Sequence, residues 1–468
     1  MKIAFHGAAR AVTGSKHLIT LNSGTQILLD CGLFQGMGEH TDNLNESFGF
    51  NPADVSYMIL SHAHIDHIGL LPRLVAEGFN GKIYCTPATM DLGRILLMDS
   101  AKIQVQDAAY ANKKITRIED QEMPLYDEED VIKTMSQFNI IDYQEEFQID
   151  DQVSLKFTDA GHIVGSAAVH LSIQENEKTI QLTFSGDVGR YGDLLLKSPQ
   201  TFPQADYIIM ESTYGDSLHK DIGPIAQSLK EIILETCIRK KGKLIIPAFS
   251  VGRTQELLYA LNALELKNQL PDVQYYVDSP LSLQATEVLK DHPEVYNNGV
   301  KEVMKTDHDI FSFKGLKFIE SVTESKALNA DSRPCVIISS SGMAEGGRVR
   351  HHIKNNIGNH KNTILMVGYA SPGSLAGQLL AGKRKVWLFG ADYDVIADIR
   401  SIQSMSAHGD YEDLLKFLSS QNPAAVKRLF LVHGEYDVQQ KFAQRLINAG
   451  FKNVSIPEYH QEFELQAC

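Results

Sequence analysis

A chain of 468 residues holds enough sequence for about three domains' worth of core, and its 43% hydrophobic and 22% charged residues exclude disordered, collagenous and coiled-coil proteins. Lysine and arginine total 44 against 58 aspartates and glutamates, a formal charge of −14 that repels polyanions at long range, so any nucleic-acid contact has to be local. Five scattered cysteines (Cys31, Cys85, Cys237, Cys335, Cys468) contain no CxxC pair, which argues against a disulfide framework or a thiolate zinc site and for a reducing, cytoplasmic setting. The apolar run after Met1 is too short for a signal peptide, so export is not expected.

From the start to about residue 212, short β-branched or apolar runs dominate: Ile27 to Leu29, Tyr57 to Leu60, Val153 to Leu155, Ile180 to Phe184 and Tyr207 to Met210. Most end in a polar or acidic residue, as strands that present functional groups at their ends do. Between them, helical spacing runs over Asp91 to Ala111, and a second helix is expected over Glu128 to Phe138. From about 216 to 402 helices alternate with buried strands: helix Pro224 to Arg239, strand Leu244 to Ile246, helix Thr254 to Leu264, then strands Tyr275 to Val277, Val336 to Ile338 and Ile364 to Val367. That alternation predicts a doubly wound, largely parallel sheet. The uncharged stretch Asn362 to Gly382 contains Pro372 and glycines, and reads as a strand and loop rather than a membrane span. After 403 come a helix near Tyr411 to Leu418, strand Leu429 to Val432, helix Val438 to Ala449 and a last strand around Val454. The expected organisation is one domain in two parts, 1–213 and 403–468, with an α/β domain, 214–402, inserted.

The strongest chemical signal is Ser61-His62-Ala63-His64-Ile65-Asp66-His67, directly after an apolar strand. Imidazole and carboxylate are the preferred non-thiolate zinc ligands, and a turn lets them converge. Four ligands on one loop cannot surround two metals. Further candidates end other strands: Asp30, His162 after Gly161, and Asp187 after Ser185-Gly186. Each by itself reads equally well as a turn residue.

The order Asp30, His62-x-His64-x-Asp66-His67, His162, Asp187 resembles the metallo-β-lactamase superfamily, whose αββα sandwich carries a binuclear zinc site along one sheet edge. Glu211-Ser212-Thr213-Tyr214-Gly215, Ser406-Ala407-His408 and Leu431-Val432-His433-Gly434-Glu435 look like the additional motifs of its β-CASP nucleases, the group containing the mRNA 3′-end cleavage endonuclease and bacterial RNases. The resemblance implies two zinc ions, the first on His62, His64 and His162, the second on Asp66, His67 and His433, with Asp187 bridging and Asp30 orienting ligands from behind. It implies Asp66, Glu211 and His408 as catalytic side chains. A metal-bridged hydroxide would attack the phosphodiester, and His408, its charged form favoured by Glu211, would act as general acid. On local sequence alone His408 reads more readily as a core histidine or a helix cap before Tyr411. DNA-acting members generally carry valine at the position of His433, so the histidine favours RNA, and an inserted cap favours single strands.

Substrate contacts are expected from Arg253, at a strand-to-helix junction after Gly252, and from Ser341, Lys326 and Arg348. An ordinary helix cap explains the Arg253 junction equally well. Arg10 is a further candidate for touching the cleft. The adjacent His351 and His352 point to different helix faces, so a basic helix face is expected there and not a metal site. Two other readings stay open: a thioesterase or lactonase of the same superfamily, and a catalytically silent scaffold of a processing complex. A homodimer is also left open.

Overall fold

A computed structural model describes residues 1–114, 117, 121–175, 178–219, 225–368, 370–371, 373–402 and 406–466. They form two compact units, Met1–Leu218 with His408–Cys468, and His219–Ala407.

The first unit contains two seven-stranded sheets. One runs in the order Gln461–Glu464, Lys2–Phe5, His17–Thr20, Gln26–Leu29, Tyr57–Ile59, Lys82–Cys85, Phe138–Ile140. The other runs Val454–Ser455, Arg428–Val432, Tyr207–Glu211, Lys178–Phe184, Ala167–Glu175, Val153–Asp159, Glu146–Gln148. Their inner faces share one core in which Phe5, Ile27, Leu29 and Ile59 meet Phe157, Val169, Ile209 and Phe430. Because side chains alternate along a strand, Ile208, Met210, Leu429 and Leu431 face the other way and pack on Leu414, Phe417, Phe442 and Leu446 of two helices. Burying both faces of the sheet is what produces the αββα sandwich.

The second unit is built on a six-stranded parallel sheet, ordered Leu316–Phe318, Gln274–Val277, Cys335–Ser339, Leu244–Pro247, Thr363–Val367, Asp398–Ile402. This is the doubly wound α/β domain expected from the helix–strand alternation.

Several boundaries differ from the sequence reading. The helix expected from Asp91 starts at Pro87, because Thr86 caps it by accepting the Thr89 N–H and proline fits its first turn. The helix expected to reach Phe138 ends at Met135, and Phe138–Ile140 instead pairs in parallel with Lys82–Cys85. Pro224 lies outside the described residues, and the helix after it, Ile225–Ile233, continues as a π-helical segment over Leu234–Arg239. The stretch Asn362 to Gly382 contains a short helix, Leu375–Leu380, besides its strand, while Pro372 lies outside the description. Val454–Ser455 is not the last strand, since Gln461–Glu464 returns to pair antiparallel with Lys2–Phe5. The strand Asp398–Ile402 and the hairpin Lys385–Leu388 with Ala391–Asp394 were also unanticipated. Cys31, Cys85, Cys237 and Cys335 are buried free thiols, and Cys468 is outside the described residues. Among the described residues no helix is long and apolar enough to cross a membrane.

Candidate metal centre

Strand direction gathers the site. Lys178–Phe184, Tyr207–Glu211 and Arg428–Val432 are mutually parallel, so Asp187, Glu211 and His433 emerge at one edge of their sheet. In the other sheet Gln26–Leu29 and Tyr57–Ile59 are also parallel and deliver Asp30 and the loop 61–67. His64 is extended and caps a four-residue helix, Ile65–Ile68, that carries Asp66 and His67. Asp30 and His433 both have positive φ, at 56° and 51°. A non-glycine residue held there marks a backbone that its surroundings over-determine.

The first donor set is His62, His64, His162 and Asp187. His64 Nδ1 lies 3.1 Å from His62 Nε2 and 3.2 Å from His162 Nε2, and Asp187 Oδ2 lies 3.5 and 3.6 Å from those two Nε2 atoms. Four donors each about 2.0–2.1 Å from a tetrahedral ion stand roughly 3.3 Å apart. The side chains therefore fit a metal of zinc's size.

The second set is Asp66, His67 and His433. His433 Nε2 is 3.3 Å and His67 Nε2 3.9 Å from Asp66 Oδ2. Asp187 Oδ2 is also 3.4 Å from His67 Nε2, so one carboxylate oxygen faces both sets. His67 Nε2 and Asp187 Oδ1 are buried without a hydrogen bond among the described residues, an arrangement that is costly unless an ion or water satisfies it.

Groups behind the donors fix their tautomers. Asp30, fully buried, accepts the Ser61 N–H (2.8 Å) and Oγ–H (2.8 Å) and lies 2.7 Å from His67 Nδ1. An imidazole that donates Nδ1–H to a carboxylate keeps its Nε2 lone pair for a metal. Thr213 does the same for His433. Its hydroxyl donates to Glu211 Oε2 (2.6 Å) and is 3.0 Å from His433 Nδ1. Glu211 Oε1 accepts the Val188 N–H (2.6 Å) and lies 3.2 Å from His408 Nδ1. That leaves His408 Nε2 directed at the site, 4.0 Å from Asp187 Oδ2.

Protonation differs among the donors: burial opposes charge on His67, but Asp187, Asp66 and Asp30 outweigh it and hold its pKa well above the ordinary histidine value. Burial holds His62 well below the ordinary histidine value and His64 at about 4, the neutral state that metal binding needs. Burial opposes charge on His408 as well, but Glu211 and Asp187 outweigh it and hold its pKa at about 9. The Glu211 carboxylate at Nδ1 thus favours the protonated His408 ring.

Other expected site residues lie in the second unit. Arg253 does not present a free guanidinium: it is buried and bound to Glu256, while Thr254 donates to the Phe249 carbonyl. Arg348 likewise is held by Asp278 (2.7 Å) and by the carbonyls of Ile319 and Glu320, bracing the unit internally. Ser341 bonds the Gly346 amide, and Lys326 is exposed. His352 is buried on Asp278 (2.6 Å) whereas His351 is exposed, the two faces expected of adjacent helical residues. In the first unit Arg10 pairs with Glu458 (2.9 Å) and lies over Tyr436. Sequence reasoning gave Thr213 and Ser61 no role. For Thr213 the available signal was its place two residues after the strand-end Glu211, whereas Ser61 meets Asp30 only in the folded chain, 31 residues away.

The chain matches the metallo-beta-lactamase superfamily over residues 13–247, the Beta-Casp domain over 254–379 and the Zn-dependent metallo-hydrolase RNA specificity domain over 392–457. It is 35% identical to a ribonuclease of Thermus thermophilus over 93% of both chains. Identity is 30% to an RNase J-like protein of Methanocaldococcus jannaschii, over 98% of this chain and 97% of that one. A transcription termination factor of Methanosarcina mazei is 29% identical over 92% of this chain, which spans 66% of the factor's length. The crystal structure of a protein of unknown function from Enterococcus faecalis V583 superposes with a TM-score of 0.53 over 99% of both chains at 12% identity, a likeness of fold. Together with two donor sets at the edge of an αββα sandwich, these matches show that the chain belongs to the metallo-β-lactamase superfamily, in its β-CASP group of RNA-processing nucleases.

Proposed function

We propose that the protein is a zinc-dependent ribonuclease of the cytoplasm that hydrolyses phosphodiester bonds of single-stranded RNA. The observation that carries this reading is the convergence of two donor sets on Asp187 beside a His408 that Glu211 keeps protonated. Residues 1–213 and 403–468 form the catalytic domain in this reading, with 214–402 inserted. His62, His64 and His162 would hold one zinc and Asp66, His67 and His433 the other, with Asp187 within reach of both sets. When bound, the two ions supply Lewis acidity to the phosphate and lower the pKa of a water shared between them.

The chain's own residues do the rest. Asp30 and Thr213 keep His67 and His433 in the ligating tautomer. As a water oxygen bonds to phosphorus and the P–O3′ bond breaks, the Nε2 proton of His408 passes to the departing O3′, and Glu211, bonded at Nδ1, stabilises the ring throughout. The products are a 3′-hydroxyl and a 5′-phosphate. His162 and Asp187 are only 3% and 2% exposed. A recessed site favours a flexible strand over duplex, whose stiffness (persistence length about 50 nm in DNA) resists local bending.

The test incubates zinc-replete protein with end-labelled single-stranded RNA carrying either 5′-phosphate or 5′-hydroxyl and maps the fragments. Fragments ending in 3′-hydroxyl are expected. No RNA turnover, with rapid hydrolysis of a thioester or lactone, would overturn the reading in favour of a small-molecule hydrolase.

A further inference from the structure

A surface made entirely by residues of the unit His219–Ala407, none of them a metal-ligand candidate, has the chemistry of a single-strand platform. Phe389, at the turn of the hairpin Lys385–Leu388 with Ala391–Asp394, is 44% exposed despite its size. It stacks on the exposed ring of His351, with centroids 4.5 Å apart and planes inclined by 24°. His351 lies on the helix Val349–Asn356, whose other face is anchored by the buried His352 and Ile353. Two cations of that helix flank the stack: the Arg350 guanidinium is 5.0 Å and the Lys354 ammonium 5.3 Å from the Phe389 centroid. Lys354 also lies 5.9 Å from the ring of Tyr393 on the returning strand.

The charge around this stack is one-sided. Arg350, Lys354 and Lys326 form no ion pair with a carboxylate among the described residues. Arg350 spends one donor on the Glu345 carbonyl, and the Glu345 carboxylate is turned to the Leu375 amide. Asp394, the acid of the adjacent strand, faces Lys385 at 3.9 Å. His351 titrates below its ordinary value, first through burial and then through the positive charges of Lys354, His352, Arg350 and Lys326. In a chain of net charge −14, a local excess of unpaired cations around exposed stacked rings is charge-complementary to a polyanion with planar groups. Stacking on rings combined with phosphate contacts to Lys and Arg is how single strands are held without sequence readout.

We propose that Phe389 and His351, with Arg350, Lys354 and Lys326, form an accessory binding surface for single-stranded RNA, a base continuing the ring stack and neighbouring phosphates meeting the three cations. The inference rests on the ribonuclease reading for the identity of the strand, and it adds a site that takes no part in bond cleavage.

The experiment measures equilibrium binding of a fluorescent single-stranded RNA of about 20 nucleotides to the full chain in chelator, so that no cleavage intervenes, over a range of salt. Lys326→Glu with Lys354→Glu should weaken binding at least tenfold and reduce the slope of log K against log salt by about 1.4, roughly 0.7 for each phosphate no longer neutralised. Phe389→Leu, which keeps an apolar turn residue, should weaken binding about fivefold or more without changing that slope. Lys267→Glu with Lys314→Glu, at two exposed lysines in turns, applies the same change of net charge and should have little effect. Hydrolysis of bis(p-nitrophenyl) phosphate by zinc-loaded Phe389→Leu should match wild type. Unchanged affinity and slope in the first double variant would overturn the proposal, as would equal losses in the control. So would an altered sedimentation coefficient without altered RNA binding, which would make the patch a contact between copies. RNA binding that depends on the patch, in a chain that cleaves no RNA, would uphold this surface and sink the ribonuclease reading instead.

Discussion

His433 Nδ1 lies 3.0 Å from the hydroxyl of Thr213, whose own proton goes to Glu211 Oε2 at 2.6 Å. One hydroxyl therefore ties a proposed metal ligand to the carboxylate that also holds the proposed general acid, His408. The two halves of the chemistry share one support.

Removing that hydroxyl tests the link. Thr213→Val keeps the shape but leaves His433 free to take the other tautomer, and support of this kind is typically worth about 10- to 100-fold in metal affinity. Zinc titration followed by competition with a chromogenic chelator should show one weakened site out of two, and Thr213→Ser should restore it. Two sites of unaltered affinity in Thr213→Val would remove Thr213 from the account.

His408→Ala should retain both metals and lose cleavage of single-stranded RNA by about 10²- to 10⁴-fold, the usual contribution of a general acid. Asp187→Ala should lose metal as well, because its Oδ2 faces both donor sets. Because Glu211 at Nδ1 favours the charged ring, wild-type cleavage should decline on the alkaline side as His408 loses its proton. The residual activity of His408→Ala should lack this decline. Equal metal loss in the two variants would contradict the separate roles.

Two glycines offer a selective disturbance of each donor set. A Cβ on Gly32 would sit 1.6 Å from the Asp66 carbonyl oxygen and 2.7 Å from the His67 nitrogen, whereas one on Gly189 would sit 1.8 Å from the Gly161 carbonyl oxygen and 2.7 Å from the His162 nitrogen. Neither backbone can absorb such an overlap without moving. Gly32→Ala should lower affinity at the Asp66 set and Gly189→Ala at the His162 set, resolved by zinc stoichiometry of the purified folded variants. Full loading of both sites in both variants would show that the loops rebuild around the added methyl.

A histidine remote from chemistry sets part of the acid stability. His170 is buried between Thr158 (2.8 Å) and Thr183 (3.0 Å), and burial depresses its pKa to about 3. A depressed folded value means that the unfolded chain takes up the proton first, so this contribution is complete above about 6.5 and is lost as pH falls towards 3. Each unit of pH in that window costs on the order of 1.4 kcal/mol. Melting temperatures measured in chelator from pH 7 to 4 should fall less steeply for His170→Gln than for wild type. Parallel slopes would assign the acid sensitivity to other groups.

The local pattern carried much of the fold. Apolar runs of three to five residues ending in a polar group identified the strands that deliver Asp30, His62, Asp187 and Glu211, because a strand buried on both faces leaves only its end for polar chemistry. What such runs miss is equally physical. The edge strand Gln461–Glu464 is mostly polar and exposed, and its pairing with Lys2–Phe5 depends on a partner more than 450 residues away. In the hairpin bearing Trp387 and Phe389 only the first strand, Lys385–Leu388, alternates buried and exposed positions, and four residues are too few to separate from loop.

By itself the sequence determined which residue types were available for metal and acid–base chemistry, and the order in which they occur, since ligand chemistry belongs to side chains. It could not decide which atoms meet. Whether Arg253 and Arg348 face a substrate or a neighbouring carboxylate depends on how strands and helices pack, and packing turned both inward, to Glu256 and Asp278. Nor could it assign Thr213 its two partners, because the hydroxyl gains them only where parallel strands from residues 207–211 and 428–432 bring Glu211 and His433 together. Hydrogen bonds are short and directional, so tertiary geometry alone fixes which tautomer each imidazole keeps.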